Sequence, residues 1–169
     1  MKKLLLFAAL AVFGIGTSFA QGDVKLGING AIPMGDFDEA YSFGVIADVA
    51  YLFDINETFK VGPMTSFLYY FGKDQEGSIG DVEIEVDADD AAFLPLGGTA
   101  RFYLDEAFYF GADLGYGIGI SPDGNDGGFY YRPRAAYNFG NIGIVLSYSG
   151  VALDGATFSS LNFGVEFGL

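Results

Sequence analysis

Arg132 and Arg134 stand two apart in FYYRPRAAYNF, and Asp113 is the one acid of the preceding segment FYFGADLGYGIGI. Side chains two apart on a strand share a face, so both guanidinium groups point the same way. Facing Asp48, Asp113 and Glu166 from other alternating segments, they suit two chemistries: close ion pairing, or the lining of a narrow path for ions. A carboxylate pair also suffices for acid–base catalysis. The chain has no His and no Cys, however, which removes Ser-His-Asp and Cys-His nucleophiles, thiolate metal ligands and disulfides. Asp48 and Asp113 are therefore read as partners of cations, and no catalytic residue, enzymatic activity, cofactor or metal is expected.

The elements that must position these residues are long strands. From Phe108 to Ile120 a large apolar residue alternates with a small or polar one, with Phe108, Phe110, Leu114, Tyr116, Ile118 and Ile120 on one face and Tyr109, Asp113 and glycines on the other. A period of two is a strand, and a transmembrane strand needs only about 9–11 residues. The same reading gives strands near 24–32, 41–53, 59–71, 93–104, 107–120, 128–139, 142–152 and 157–169. Longer connections alternate with shorter turns, and an even number of antiparallel strands closes. The expected fold is all-β, an eight-stranded antiparallel up-and-down transmembrane β-barrel. Tyr41, Phe43, Val45, Ala47, Val49, Tyr51 and Phe53 are assigned to the outside of the second strand, and Leu161, Phe163, Val165, Phe167 and Leu169 to that of the eighth. A soluble sandwich or lipocalin-like barrel would turn these strands inside out, leaving a solvent face of Gly, Ser and Ala with few charges, a poor soluble surface. Pro63, Pro95 and Pro133 predict bulges or lost ladder bonds.

The charges follow the same division. Lys25, Lys60, Arg101, Arg132 and Arg134 fall on the inward register with Asp48, Asp113 and Glu166, while Lys73 and the other carboxylates belong to the chain start, turns and loops. A Lys or Arg facing mid-bilayer lipid costs about 2–4 kcal/mol. Lys25, Lys60, Arg101 and Glu166 are expected toward the periplasmic side, Asp48 and Asp113 near the middle, with Arg132 and Arg134 above them. A hairpin closed symmetrically around 121–128 sets Gly119 opposite Tyr130, Gly117 opposite Arg132 and Gly115 opposite Arg134. Two readings of the interior stay open: a plug of paired charges, or a narrow path with mild anion preference.

Residues 1–20 carry Lys2-Lys3, an apolar run and Ser18-Phe19-Ala20, the pattern of a secretory signal peptide. One domain is expected over 21–169. Without Lys2 and Lys3, six basic residues face 22 acidic ones, net −16, so nucleic acid is not an expected partner. The longest loop holds Asp74, Glu76, Asp81, Glu83, Glu85, Asp87, Asp89 and Asp90 against Lys73. Its Asp87-Ala88-Asp89-Asp90 oxygens suit Ca²⁺ or a basic partner, yet no spacing matches an EF-hand loop, and the run reads as a solvated acidic loop. Val82 to Val86 alternates, so the flanking strands are expected to extend as a ribbon.

With these features the chain resembles the small outer-membrane β-barrel proteins of the OmpA/OmpX type, grouped in the outer-membrane β-barrel domain family. The likeness rests on the Lys2-Lys3 leader, eight amphipathic strands, the acidic loop and the final strand SSLNFGVEFGL. It implies an integral protein of the bacterial cell outer membrane, in contact with outer-membrane lipid and inserted by the barrel assembly machinery. The role it implies is structural or surface-interacting, with a largely plugged lumen; the alternative is a narrow porin-like channel for ions or small solutes. No extracellular partner follows from it.

Overall fold

Alternating apolar and small residues, broken by Gly, Asn and Asp, give ten strands: β1 (Gly22–Met34), β2 (Tyr41–Asp54), β3 (Phe59–Gly72), β4 (Gln75–Ile79), β5 (Val82–Val86), β6 (Ala91–Tyr103), β7 (Phe108–Ser121), β8 (Gly128–Phe139), β9 (Ile142–Leu153) and β10 (Ala156–Gly168). The computed structural model describes residues 22–73, 75–79, 82–86 and 89–169, with side chains throughout except in 75–79 and 82–86. The expected leader and Asp74, Asp81 and Asp87 lie outside the described residues, as do the side chains of Glu76, Glu83 and Glu85.

Eight strands close into one antiparallel barrel in the order β1-β10-β9-β8-β7-β6-β3-β2, and β4 with β5 forms a separate two-stranded ribbon. Closure pairs β1 with β10 and removes the edges at which an open sheet aggregates. Short turns gather at one end. Asn56 Oδ1 accepts from the Thr58 and Phe59 amides at 3.0 and 2.9 Å, and Asp105 Oδ1 accepts from those of Ala107 and Phe108 at 2.8 and 2.7 Å. Such local bonds fix tight reversals. The connections after β1, β3, β7 and β9 lie at the opposite, loop end.

The apolar face is outside. Leu114 is 54% exposed and Phe163 63%, whereas Asp113 is 1% exposed and Arg132 fully buried. That division excludes the inside-out soluble barrel.

Three sequence expectations need correction or refinement. The β7–β8 register is displaced by four residues: Asp113 pairs with Arg132, Gly111 with Arg134 and Gly115 with Tyr130. The hairpin is not symmetric, because β7 runs on to Ser121, where it pairs with Ala92 of β6, while β8 begins opposite Gly117. The Asn125 side chain donates back to the Ser121 carbonyl at 2.9 Å, folding the loop against Gly119. Tyr41, assigned to the outer face, instead packs toward the interior, because the β2–β3 register shifts between Tyr41 and Phe43. A one-residue irregularity of this kind reverses a side chain's face. At the prolines the ladder lapses on one side without a bulge. Pairing resumes in the same register beyond Tyr51 and Pro63, Pro95 and Ser66, and Pro133 and Tyr148, as expected of a residue with no N–H to donate.

Candidate functional site

The barrel interior holds the only constellation of buried charge among the described residues. Five strands supply it: Asp48 from β2, Arg101 from β6, Asp113 from β7, Arg132 and Arg134 from β8, and Glu166 from β10. Three carboxylates meet three guanidinium groups. Arg101 grips Glu166 with both terminal nitrogens, at 2.6 and 2.8 Å. Arg134 reaches Asp113 Oδ2, Asp48 Oδ1 at 3.2 Å and Glu166 Oε2 at 3.2 Å, and so touches all three acids. Arg132 pairs with Asp48, whose other oxygen accepts from Asn29 Nδ2 at 3.2 Å. Tyr109 donates to Glu166 at 3.2 Å, and its ring lies 4.9 Å under the Arg101 guanidinium. Bidentate, cross-linked pairing is the geometry that offsets removing charges from water.

Small residues make the room. A Cβ on Gly27 would fall 1.9 Å from Asp48 Oδ2, and one on Gly111 would meet Arg134 Cγ at 3.2 Å and Arg101 Cγ at 3.3 Å. Glycine is therefore what lets these side chains lie flat inside the wall.

Toward the loop end the charges give way to hydroxyls. Arg132 Nε donates to Ser147 at 3.0 Å, Asn162 Nδ2 to Ser149 at 3.0 Å, Ser160 to Asn162 Oδ1 at 2.7 Å, and Ser160 lies 2.8 Å from the Tyr70 hydroxyl. Above them sits an aromatic cap around Phe158. Its ring is 4.5 Å from Tyr70, 5.1 Å from Tyr41, 5.3 Å from Phe93 and 4.7 Å from Phe37, which a single 3₁₀ turn (Gly35–Phe37) lays over the mouth. Toward the turn end, Tyr109 packs with Tyr103, Ala136 and Val145. A cavity of about 10 Å³ lies beside the charges, roughly the space one water needs.

Not every predicted lumen residue joins the cluster. Lys60 pairs with Asp23 at 2.7 Å and Asp54 at 2.9 Å near the turn end, and its ammonium stands 5.6 Å from the Tyr103 ring centre. Lys25 borders the cavity but makes no ion pair among the described residues. Of the acidic loop, Asp90 is engaged: its carboxylate accepts from the Tyr69 hydroxyl and from the Gly72 amide at 2.9 Å, while its carbonyl accepts from Ser121 at 2.7 Å. The Tyr69 hydroxyl first, then the Gly72 amide, hold the Asp90 carboxyl below the usual carboxylate range. Asp89 is exposed. The hydroxyl layer and the cap are what sequence reasoning missed. Ser147, Ser149, Ser160 and Asn162 share the inward register and could have been found by it, whereas the cap depends on the Tyr41 irregularity and a loop residue.

The closed eight-stranded barrel fold recurs in solved structures. The outer membrane protein Ail of Yersinia pestis in a phospholipid bilayer nanodisc superposes with a TM-score of 0.55 at 17% identity, over 88% of this chain and 99% of that one. The fold is that of a small outer-membrane β-barrel. The crystal structure of Ail in complex with the heparin analogue sucrose octasulfate matches equally, with a TM-score of 0.55 at 19% identity over 88% and 99% of the two chains. A de novo designed transmembrane β-barrel matches with a TM-score of 0.53 at 8% identity over 89% and 98%. No family model matches this barrel, and no curated protein sequence matches it significantly.

Proposed function

We propose that the chain is an integral protein of the bacterial outer membrane whose barrel serves a structural or surface-interacting role and whose lumen does not conduct. The observation that carries this is the side-chain fill: an aromatic cap, a hydroxyl layer, six cross-linked charges and tyrosines follow one another along the lumen, and the cavity beside the charges has room for about one water. An eight-stranded barrel is just narrow enough for side chains to fill. Opening a path would strand arginines that are fully or almost fully buried. The reading is also non-enzymatic, because each lumen carboxylate is held by at least one guanidinium. In membrane orientation the turn end faces the periplasm and the loops face outward, with outer-membrane lipid around the wall and the assembly machinery as the partner during insertion. The six cross-linked charges act as the plug, with Lys25 and Lys60 toward its turn end, and the acidic loop as a solvated surface element.

Recognition of a sulfated polyanion, as in the Ail complex, does not transfer. Of the basic residues, only Lys73 belongs to a loop-end connection, where Asp36, Asp38, Glu39, Asp123, Asp126 and Asp154 add to the acidic run of 74–90. Like charges at that density repel a polyanion.

The test is a liposome-swelling assay on the refolded, heat-modifiable protein. No swelling in small sugars or amino acids supports the plug; swelling above that of empty vesicles establishes the channel reading instead.

A further inference from the structure

At the turn end the apolar outer wall runs on past the strands. The last inward pairs there are Asp54 with Lys60 and Tyr103 with Tyr109, so by alternation the next pair in each hairpin falls outside. Both are large and apolar. The Ile55 amide donates to the Phe59 carbonyl at 3.0 Å and the Leu104 amide to that of Phe108 at 2.9 Å, while Phe139 faces Ile142 across the third turn. Ile55, Leu104 and Phe139 are 60%, 59% and 63% exposed, as open as any residue of the lipid-facing wall between them and the loops. The polar side chains of these turns are occupied elsewhere: Asp54 turns to Lys60 at 2.9 Å, and Asn56 and Asp105 hold backbone amides. Neighbouring turns are also bonded to one another. The amide of Tyr103 donates to the Thr58 carbonyl at 2.7 Å, that of Asn138 to Ala107 at 2.6 Å, that of Gly168 to Asn141 at 2.8 Å and that of Leu169 to Val24 at 3.0 Å. Barrel closure therefore reaches the tips.

We propose that this turn rim is seated in the membrane, at the boundary between acyl chains and headgroups of the periplasmic leaflet, and does not project into the periplasm. The inference rests on the membrane-spanning reading above and adds the depth at which the barrel sits. An exposed apolar surface of this extent marks a membrane or a protein contact. Two observations favour lipid: the rim is continuous with the lipid-facing wall, and its backbone is bonded from turn to turn, as contact with hydrocarbon requires. Glu57 and Glu106, exposed at the tips of the first two turns, limit the depth, because an ionised carboxylate stays with the hydrated headgroups.

The chain has no Trp, so single tryptophans report their own surroundings. Ile55→Trp, Leu104→Trp, Glu57→Trp and Leu114→Trp are refolded into phosphatidylcholine vesicles whose acyl chains carry bromine either near the headgroup or near the bilayer centre. Leu114→Trp, midway up the wall, is expected to be quenched most by the deep bromines. Ile55→Trp and Leu104→Trp are expected to emit to the blue, to be quenched most by the shallow bromines and to be shielded from aqueous acrylamide, which reaches Glu57→Trp. Rim tryptophans that acrylamide quenches and bromine does not, in vesicles where Leu114→Trp is quenched by bromine, overturn the proposal and leave the rim free for a periplasmic protein. Leu114→Trp untouched by bromine overturns the membrane-spanning reading as well. Where a rim tryptophan prevents folding, a nitroxide on Ile55→Cys decides, in a chain with no other Cys: collision with oxygen above that with an aqueous nickel chelate supports the seated rim, and the reverse overturns it.

Discussion

Replacing Glu166 by Gln keeps the shape of the side chain and removes its charge from beneath Arg101. Arg101 then loses its one carboxylate partner, a two-pronged contact at 2.6 and 2.8 Å between side chains only 1% and 6% exposed. Arg134 keeps Asp48 and Asp113, so the damage centres on Arg101. Breaking a buried pair from one side costs about 3–5 kcal/mol, because the surviving ion stays buried and uncompensated. That amounts to a loss of roughly a hundred- to several-thousand-fold in the folding equilibrium. The assay is reversible urea unfolding in micelles, followed by circular dichroism or tyrosine fluorescence because the chain has no Trp. Removing both charges together, Arg101→Met with Glu166→Leu, is expected to recover most of the loss, since apolar replacement of a buried pair is often neutral or stabilising. A Glu166→Gln variant within about 0.5 kcal/mol of wild type, the range of ordinary surface changes, would refute the claim that this pair is desolvated.

Leu114→Arg, on the outer face midway along β7, is expected to lose about 2–4 kcal/mol and to insert poorly into vesicles; unimpaired insertion would contradict a lipid-facing wall. Gly97→Ala is expected to abolish the heat-modifiable form, because the new Cβ would lie 2.1 Å from the Leu114 carbonyl oxygen across the β6–β7 ladder, whereas Gly30→Ala, with no atom nearer than 3.5 Å, is expected to fold normally. The Asp90 clasp is pH-dependent in one direction. A carboxyl whose pKa is lowered by folding stabilises above its ordinary pKa and stops doing so as pH falls through the lowered value. The protection factor of the Gly72 amide, its exchange measured against the intrinsic rate at each pH, should therefore fall only in acid for wild type, and be low at every pH in Asp90→Ala.

Alternation alone revealed the eight barrel strands, because a half-greasy wall imposes a period of two on every strand that crosses it. The same periodicity put Asp48, Asp113, Glu166 and the arginines on the inner face, since no lipid-facing position tolerates them cheaply. What periodicity does not encode is how far each strand slides along its neighbour. The β7–β8 register turned on Asn125 folding the loop back on Ser121, a local contact that an evenly closed hairpin hides, so the glycine beside Arg134 is Gly111 and not Gly115. Tyr41 escaped for a related reason, as one irregular residue after it reverses its face. Phe37 sits in a loop outside any periodic pattern, and only the closed barrel brings its ring over Phe158.

The plugged lumen is tested most directly by current through single barrels in planar lipid bilayers. Wild-type protein, refolded and shown to be heat-modifiable, should give no steady conductance above that of the bare bilayer, because the charges from Asp48 to Glu166 are cross-linked beneath an aromatic cap. Steady wild-type conductance that changes in Arg132→Ala and Arg134→Ala would contradict the account and make those two arginines the lining of a channel.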